Sequence, residues 1–397
     1  MSTLAAAPKA PENLSVSQPS RSSVRLQWQD NSANETRFEV YYGSNSTDLN
    51  LLIHIDPNSD FWVINNLESL TIYHFKIRAV NNFGTSEFSN TVSLRTQFSG
   101  LLAIVADMAE GVRIIDVTDP SDLEVIGTYT PPGRAEDIAV RDSLVYIAYW
   151  DNGLRIVNIA DPSDPKIVSE YPLPNSYRIC LWENTACIAN WNALILIDIA
   201  DPSHPAYLSA VQGGISHVAV NRGFAYVSTI QSTFQIIDIA DAHNPVVRSS
   251  FRNNAIDFLG VALNGRYAFI ASNGGDEFGG LQIFDVGNAD AIQFVSLFRE
   301  PTSAIDLTLH NNLTYLAAGE AGVYIINTRN PAAPYLTSHF DTDGEARRVL
   351  VFEQTAYVSD GSGGLLLVDI SIPSQPHIIG RRETSGNTRS VAILDYR

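Results

Sequence analysis

The chain has 397 residues, of which 45% are hydrophobic and 17% charged, and its 43 acidic and 25 basic side chains give a formal charge of −18. This length exceeds one ordinary hydrophobic core and predicts two or more domains, while the hydrophobic fraction excludes disorder over most of the chain. The acidity disfavours binding to nucleic acid or to anionic lipid. No run approaches the roughly 20 apolar residues of a transmembrane helix.

The chain begins MSTLAAAPKAPENL, which lacks a basic segment followed by an apolar one, so we expect no intact signal peptide. The mature form of a secreted protein with Met added would look the same. We interpret residues 1–10 as an N-terminal extension. Two cysteines are too few for a disulfide framework or a Cys-rich zinc site, and either redox compartment is allowed.

Residues 11–97 carry the pattern Leu-x-Ser-x-Thr-x-Tyr-x-Phe-x-Ile-x-Ala-x-Asn from Leu67 to Asn81. This segment resembles the fibronectin type III family, with Ser69 where that family usually has Pro. The resemblance implies a β-sandwich that serves as a spacer or adhesion module. It also implies that Trp28 is a core tryptophan and that the Tyr73 hydroxyl bonds to the chain upstream. The Arg-Gly-Asp tripeptide of integrin binding is absent.

Residues 98–397 contain seven copies of a unit of about 42 residues. One column of the aligned copies holds an Asp or Asn, at spacings of 42, 40, 40, 47, 42 and 42 residues. Its members are Asp116, Asn158, Asp198, Asp238, Asp285, Asn327 and Asp369. Each copy shows short runs with period-2 alternation, which predict four strands and no helix. Seven four-stranded units predict a seven-bladed β-propeller in an all-β protein.

The turns of each unit are also predictable. Gly265-Arg266 suits a type II′ hairpin and Asn311-Asn312 suits type I′. We interpret the Asp/Asn column as structural, because a short carboxylate or amide can accept from a backbone N–H two residues on. A calcium role for the column is disfavoured, because single acids in seven separate turns cannot converge on one ion.

The first copy lacks an inner strand and begins at LLAIVAD, whereas the chain ends with an extra one, RSVAILDYR. We therefore expect Val391 to Leu394 to complete the blade built from residues 101–130, so that the C-terminal strand closes the ring.

The repeats resemble the LVIVD-repeat family in their Gly-Leu-x-Ile-Val-x-Ile strand and Asp-Pro-Ser-x-Pro turn, as in residues 153–165. The fifth copy departs from the pattern, with GNADA in place of the Pro turn and the insertion SNGGDEFGG. The resemblance implies a propeller typical of bacterial and archaeal cell-surface proteins, without a defined chemistry.

Linear catalytic motifs are missing: the sequence has no Walker A, no Gly-x-Gly-x-x-Gly, no Gly-x-Ser-x-Gly elbow and no His pair at metal-binding spacing. We therefore predict no catalytic residues, metal or cofactor, although propeller enzymes assemble sites from several blades. A hydrolase or lyase using channel-mouth residues such as Asp137, His217 and Asp306 stays as an alternative.

Propeller geometry places the start of each inner strand at the mouth of the central channel. The candidate residues there are Asp137, Tyr177, Arg178, His217, Asp306 and Arg348, with Arg347 and Arg389 nearby. They could hold a polar ligand. Alternatively, they pair with neighbouring blades or face solvent.

The loop between the second and third strand of each copy should lie on the face that carries the channel mouth. These loops contain the aromatic residues Tyr149, Trp150, Trp191 and Phe278. Trp150 and Trp191 occupy equivalent positions in successive copies and are predicted to be close neighbours. Such a face suits sugars or a protein interface, whereas the alternative is that each aromatic caps its own blade. Asp276 and Glu277, in the insertion, are a weak calcium candidate.

Cys180 and Cys187 should lie opposite each other across the Glu183-Asn184 turn. Buried, inert thiols are the expected state, and a cross-strand disulfide is the alternative.

These observations favour a non-catalytic interaction or scaffold protein of a bacterial or archaeal cell surface or extracellular assembly. The propeller would be a docking platform for protein partners or surface glycans. Carbohydrate binding through Trp150 and Trp191 is the second hypothesis. A subunit of a phage-tail-like or filamentous assembly is an alternative location.

Residues 1–97 hold 7 basic and 9 acidic side chains, so nearly all of the net negative charge belongs to the repeats.

Overall fold

The computed structural model describes residues 6–397, so half of the predicted N-terminal extension, residues 1–5, lies outside the described residues. The chain divides into two compact units, one comprising the residues up to Gly100 with Tyr396 and Arg397, the other Leu101–Asp395. The described residues form 36 strands and one helical turn, Gly275–Phe278, which confirms the all-β class. In this part of the chain no helix is long and apolar enough to cross a bilayer.

The first unit is a sandwich of two sheets. Its strands are β1 (Glu12–Ser20), β2 (Ser23–Gln29), β3 (Arg37–Asn45), β4 (Asp48–Ile55), β5 (Phe61–Ile64), β6 (Ile72–Asn81), β7 (Gly84–Thr85) and β8 (Val92–Arg95). One sheet has the order β1-β2-β5, and the other the order β4-β3-β6-β7, with β8 also paired to β6. The alternating apolar residues of β2, β3 and β6 meet between the sheets, which is where the core lies.

Two expectations for this sandwich are confirmed. Trp28 is 3% exposed and packs edge-on against Phe38, with ring centroids 5.5 Å apart. The backbone N–H of Glu68 donates to the Tyr73 hydroxyl at 3.2 Å, so the tyrosine ties β6 to the segment before it.

The second unit is a ring of seven four-stranded sheets. Its strands are β9 (Leu101–Ala106), β10 (Val112–Asp116), β11 (Glu124–Tyr129), β12 (Ala135–Arg141), β13 (Leu144–Tyr149), β14 (Gly153–Asn158), β15 (Lys166–Tyr171), β16 (Ser176–Trp182), β17 (Thr185–Asn190), β18 (Ala193–Asp198), β19 (Ala206–Gln212), β20 (Ile215–Asn221), β21 (Phe224–Thr229), β22 (Thr233–Asp238), β23 (Val246–Arg252), β24 (Asp257–Asn264), β25 (Tyr267–Asn273), β26 (Gly280–Asp285), β27 (Gln293–Phe298), β28 (Asp306–His310), β29 (Leu313–Ala317), β30 (Val323–Asn327), β31 (Tyr335–Phe340), β32 (Arg348–Phe352), β33 (Thr355–Ser359), β34 (Leu365–Asp369), β35 (His377–Arg382) and β36 (Ser390–Asp395). Blade 1 has the order β11-β10-β9-β36, and blades 2 to 7 use the following strands four at a time, beginning with β12-β13-β14-β15.

The predicted closure of the ring is confirmed. Strand β36 pairs antiparallel with β9, from Ser390 opposite Ala106 to Asp395 opposite Leu101. It also lies against the inner strands β12 and β32 of the two neighbouring blades. The C-terminal strand therefore supplies the inner strand of a blade whose other three strands come from the beginning of the repeat region.

The hydrophobic core of the propeller lies between adjacent blades. In one cluster, Tyr146 and Ile156 of blade 2 pack with Ile179, Ile188 and Ile197 of blade 3. Each blade therefore buries both faces against its neighbours, which is why the second and third strands read as nearly continuous apolar runs.

The Asp/Asn column has the predicted structural role. In all seven blades its side-chain oxygen accepts from the backbone N–H two residues on, at 2.7–3.1 Å. Positive φ angles at both Asn311 and Asn312, and at Gly265 with Arg266 remaining negative, agree with the expected hairpin types.

A second column joins each blade to the next. In blades 2 to 6 a serine of the outer strand donates its hydroxyl to a carbonyl of the following blade's turn, as Ser169 does to Pro202 at 2.6 Å. Gly127 and Gly380 occupy this column in blades 1 and 7. A Cβ at Gly127 would overlap the Pro162 carbonyl oxygen, so the backbones approach more closely there.

Candidate functional site

Bulges at the start of the inner strands determine which side chains reach the channel mouth. The register between β12 and β13 shifts between Ala135 and Asp137, which leaves Glu136 as the extra residue. The same shift makes Tyr177 the extra residue in blade 3 and Ser216 in blade 4. A bulge redirects the side chains on either side of it. As a result, blades 2, 3 and 4 each present two consecutive residues to the channel mouth, namely the bulge residue and the one that follows it.

Asp137, Arg348 and Asp306 are brought together at the channel mouth. Asp137 Oδ1 accepts from Arg348 Nη1 and, at 2.6 Å, from the hydroxyl of Ser390. Its Oδ2 accepts from the backbone N–H of Ile179 at 3.0 Å. Arg348 Nε lies 3.6 Å from Asp306 Oδ2. These three predicted site residues, from blades 2, 6 and 7, are thus engaged with one another and with Ser390 of blade 1, in keeping with the alternative in which they pair between blades.

Arg178 is buried beside this network. Burial disfavours its charged form, but Asp137, Tyr177 and nearby acids outweigh burial and raise the pKa of Arg178. The guanidinium carbon lies 5.1 Å from the centroid of the Tyr177 ring. A buried guanidinium with acidic neighbours therefore lies against the Tyr177 ring.

Four aromatic rings form a row across blades 2 to 4. Trp150 meets Trp191 edge-on at a centroid distance of 5.2 Å and meets Tyr177 at 5.8 Å, and Tyr177 in turn meets His217 at 6.3 Å. The predicted proximity of Trp150 and Trp191 is confirmed. Trp191 is 51% exposed, so much of its surface is open to a ligand.

The expectation that Tyr149 lies with Trp150 on the ligand-binding face is wrong. Tyr149 is fully buried, and its hydroxyl donates to the Pro131 carbonyl at 3.0 Å. Burial raises its pKa to about 12. Successive strand residues point to opposite sides, so of this pair only Trp150 reaches the mouth.

The row borders a cavity of 320 Å³, which we call the mouth cavity. Its lining residues are Arg134, Glu136, Trp150, Tyr177, Trp191, Ser216, His217, Ile230, Leu259 and Arg389. The volume lies at the lower end of the ~300–1,000 Å³ range of small-molecule sites. Four predicted site residues, Trp150, Tyr177, Trp191 and His217, line it, whereas Asp137, Arg178, Asp306 and Arg348 are not among its lining residues.

His217 has an unusual environment within this wall. It is 5% exposed, and neither of its ring nitrogens has a hydrogen-bond partner among the described residues. Burial, together with the charges of Arg178 and Arg348, holds the pKa of His217 well below its ordinary value. The ring is therefore neutral and offers one donor and one acceptor.

Several lining residues were not among the candidates drawn from the sequence. The Arg134 guanidinium lies 5.1 Å from the Trp150 ring centroid and 3.5 Å from the Asp151 carboxylate. Ser216 shares its bulge position with Glu136 and Tyr177, and that column was the signal that could have identified it. Ile230 follows the second strand as Trp150 and Trp191 do, but it is not aromatic.

Phe278 lies at a different cavity. Together with Phe251, Ile256 and Phe294 it lines a space of 470 Å³ between blades 4 and 5. Glu277 is also part of that wall, while the side chain of Asp276 lies outside the described part of the chain. Within the described residues, no group of three or more His, Cys, Asp or Glu is placed to hold a metal ion.

The cysteines and the catalytic hypothesis can also be compared with the geometry. Cys180 and Cys187 lie opposite each other as predicted, and both are free thiols. Burial raises the pKa of both, which makes them poor nucleophiles. His217 makes no hydrogen bond to Asp137 or Asp306, so these three residues do not form an acid–base relay.

Comparison with known families agrees with this architecture. The fibronectin type III domain model matches residues 9–95. The LVIVD repeat model matches seven consecutive segments, 97–131, 132–172, 175–213, 212–252, 259–296, 301–342 and 343–384. The chain belongs to the LVIVD-repeat family. No curated protein matches the sequence.

Two solved structures illustrate the fold of this LVIVD-repeat chain. The crystal structure of the computationally designed Ika8 protein has a TM-score of 0.51 at 9% identity, and the match covers 92% of this chain and 97% of that one. A chain of the crystal structure of the mitotic checkpoint complex has a TM-score of 0.50 at 13% identity, covering 62% and 78%. Likenesses at such low identity concern the fold alone.

Proposed function

We propose that the protein is a non-catalytic interaction protein of a bacterial or archaeal cell surface or extracellular assembly, in which the propeller binds its partner at the channel mouth. The observation that carries this proposal is the mouth cavity, with Trp150, Tyr177 and Trp191 in one wall. Aromatic rings with polar neighbours are favoured at recognition surfaces because they bury much area at little entropic cost.

The charged residues beneath the cavity support binding in preference to catalysis. Asp137, Arg348 and Asp306 are held by one another and by Ser390. Groups paired in this way are already ordered before a ligand arrives, which lowers the entropic cost of binding at the mouth. The fibronectin type III domain serves as the spacer or adhesion module in this proposal. A subunit role in a phage-tail-like or filamentous assembly is the alternative setting.

The test is to screen wild-type protein and the Trp150→Ala/Trp191→Ala double variant against a glycan array and a panel of envelope proteins. We expect at least one ligand whose binding falls 10-fold or more in the double variant. Tyr207→Ala/Tyr335→Ala is the matched control, since both tyrosines are exposed and lie on the outer strands β19 and β31. If every ligand binds the wild type and the double variant equally, the mouth is not the docking surface.

Carbohydrate binding is the second candidate function. It is favoured by the exposed Trp191 ring and the edge-on Trp150 beside it. An aromatic face packs well against the C–H face of a sugar ring, and Glu136, Ser216 and His217 can hydrogen-bond to hydroxyl groups. In the same screen, this candidate requires that the ligand lost in the double variant is a glycan.

A further inference from the structure

The mouth cavity contains polar atoms that the protein itself does not satisfy. His217 is nine-tenths buried, and both of its ring nitrogens lack a hydrogen-bond partner within residues 6–397. A buried polar atom without a partner costs about 1–3 kcal/mol. Because the ring is neutral, it can donate from one nitrogen and accept at the other. A hydroxyl group, which both donates and accepts, is the ligand group that matches such a ring.

Arg389 is the second incompletely paired group in the same wall. Its Nε atom is buried without a hydrogen-bond partner, and its nearest acid, Glu136, lies 3.8 Å away. Burial, followed by repulsion from Arg347, lowers the pKa of the Arg389 guanidinium, against the opposing effects of Glu136, Tyr177 and Glu345. A carboxylate on the ligand would accept from the guanidinium in a charge-assisted hydrogen bond.

Basic side chains are concentrated around the mouth cavity, within a propeller that is acidic overall. The repeat region is strongly acidic, whereas Arg134 and Arg389 line the cavity with Glu136 as the only acid among its lining residues. Arg178 and Arg348 lie close enough to lower the pKa of His217 by their charge. Arg134 lies 3.5 Å from Asp151 and Arg348 bonds to Asp137, whereas Arg389 is 3.8 Å from its acid and makes no hydrogen bond through Nε. An anion in the cavity would therefore meet the Arg389 guanidinium, and low-dielectric surroundings strengthen that attraction.

The aromatic rings define the remaining part of the ligand. Trp191, which is about half exposed and whose ring stands at 87° to that of Trp150, offers one apolar face beside the polar groups, and this face suits the C–H face of a pyranose ring. A neutral sugar would pack on this face and bond to His217 but would leave the Arg389 Nε–H without a hydrogen-bond acceptor. A simple carboxylate would pair with Arg389 but would leave the Trp191 face empty.

We propose that the mouth cavity binds a carboxylated sugar, a hexuronate residue of a surface glycan, with its ring stacked on Trp191 beside Trp150, a hydroxyl on His217 and its carboxylate on Arg389. This rests on the proposed function, because it assigns a ligand class to the same docking surface. It adds a requirement for negative charge that neither protein docking nor general carbohydrate binding contains.

The test compares three probes on the full-length protein by saturation-transfer NMR and by titration: methyl glucuronide, methyl glucoside and sodium acetate. The two glycosides differ only in the carboxylate. We expect the glucuronide to bind at least 10-fold more tightly than the glucoside, and acetate to show no displacement of the glucuronide at equal concentration. Comparable binding of both glycosides, displacement by acetate, or no glucuronide binding would each overturn the proposal.

Two variants separate the role of Arg389 from that of folding. Arg389→Gln should remove the preference for glucuronide while glucoside binding stays the same, and its melting temperature shows whether it is folded. Arg222→Gln is the matched control, because it removes an exposed charge from the hairpin at the other end of β20. Unchanged glucuronide preference in folded Arg389→Gln contradicts the proposal. The array ligand that depends on Trp150 and Trp191 can still be found in that case, so the two proposals fail separately.

Discussion

Arg348 of blade 7 donates a hydrogen bond to Asp137 of blade 2, although blade 1 lies between these two blades in the ring. That intervening blade takes part through Ser390, whose hydroxyl donates to the same Asp137 oxygen at 2.6 Å. Ser390 is the first residue of the closing strand β36. The network at the channel mouth therefore connects the two ends of the repeat region, as the pairing of β36 with β9 also does.

Removing Arg348 should destabilise the propeller. Arg348→Met leaves the buried Asp137 carboxylate without its cationic partner, and losing one member of a buried pair costs about 3–5 kcal/mol. We expect the lower end, because Ser390 and two backbone N–H groups still bond to Asp137. Urea unfolding measures the difference, with Arg222→Met as the control. A loss below about 1 kcal/mol would show that the pair is not important for stability.

Removing the closing strand should open the ring. Deletion of residues 388–397 leaves β9 with an unpaired edge, and exposed edges promote aggregation. We expect an aggregating product without a cooperative unfolding transition in light scattering and calorimetry. Val391→Asp, a full-length variant at a buried position of β36, should lower the melting temperature in the same direction. A soluble truncated protein that melts like the wild type would refute closure by this strand.

The serine and glycine positions that join each blade to the next should differ in how much a substitution lowers the free energy of unfolding. Ser169→Ala loses one hydrogen bond and should cost about 1 kcal/mol. Gly127→Ala adds a methyl group that overlaps the Pro162 carbonyl oxygen, so we expect about 2–3 kcal/mol or more. Both free energies of unfolding come from the same urea experiment. Equal costs for the two variants would show that blades 1 and 2 are not packed as closely as this structure has them.

Asp360 should make stability depend on pH. Burial raises the pKa of this carboxyl to about 6, against the opposing effects of Thr342 and Arg381. Because the folded pKa lies above that of the unfolded chain, the stabilising contribution is complete below about pH 4 and is lost as the pH rises through 6. Relative to Asp360→Asn, the wild type should lose about 2 kcal/mol between pH 4 and pH 7. A difference between the two proteins that does not vary with pH would contradict a raised pKa.

The repeat spacing made most of the propeller predictable from the sequence. The Asp/Asn column located seven equivalent turns, and the missing first strand together with the extra last one predicted the closure. The positions of the candidate residues at the mouth were harder to predict. Asp137 and Arg178 were expected at the start of their strands, but each is the third residue of its strand and follows a bulge. A bulge depends on the pairing partner, and a single strand's sequence does not specify that register.

The candidate site, too, was only partly predictable from the sequence. The proximity of Trp150 and Trp191 followed from the repeat, because equivalent positions in adjacent blades must be neighbours. Burial of Tyr149 did not, since it depends on the space between blades and on the Pro131 carbonyl that accepts from its hydroxyl. The isolation of His217 is likewise a property of packing, because it depends on which neighbours fail to reach its ring nitrogens.

The central claim, that the mouth cavity is the binding surface, is tested most directly by the tryptophan side-chain N–H signals in NMR. The chain has five tryptophans, Trp28, Trp62, Trp150, Trp182 and Trp191, and replacing each with Phe assigns its signal. On titration with methyl glucuronide, or with a ligand found on the array, we expect the signals of Trp150 and Trp191 to move and the other three to stay in place. A bound ligand that leaves both signals unchanged would contradict the account.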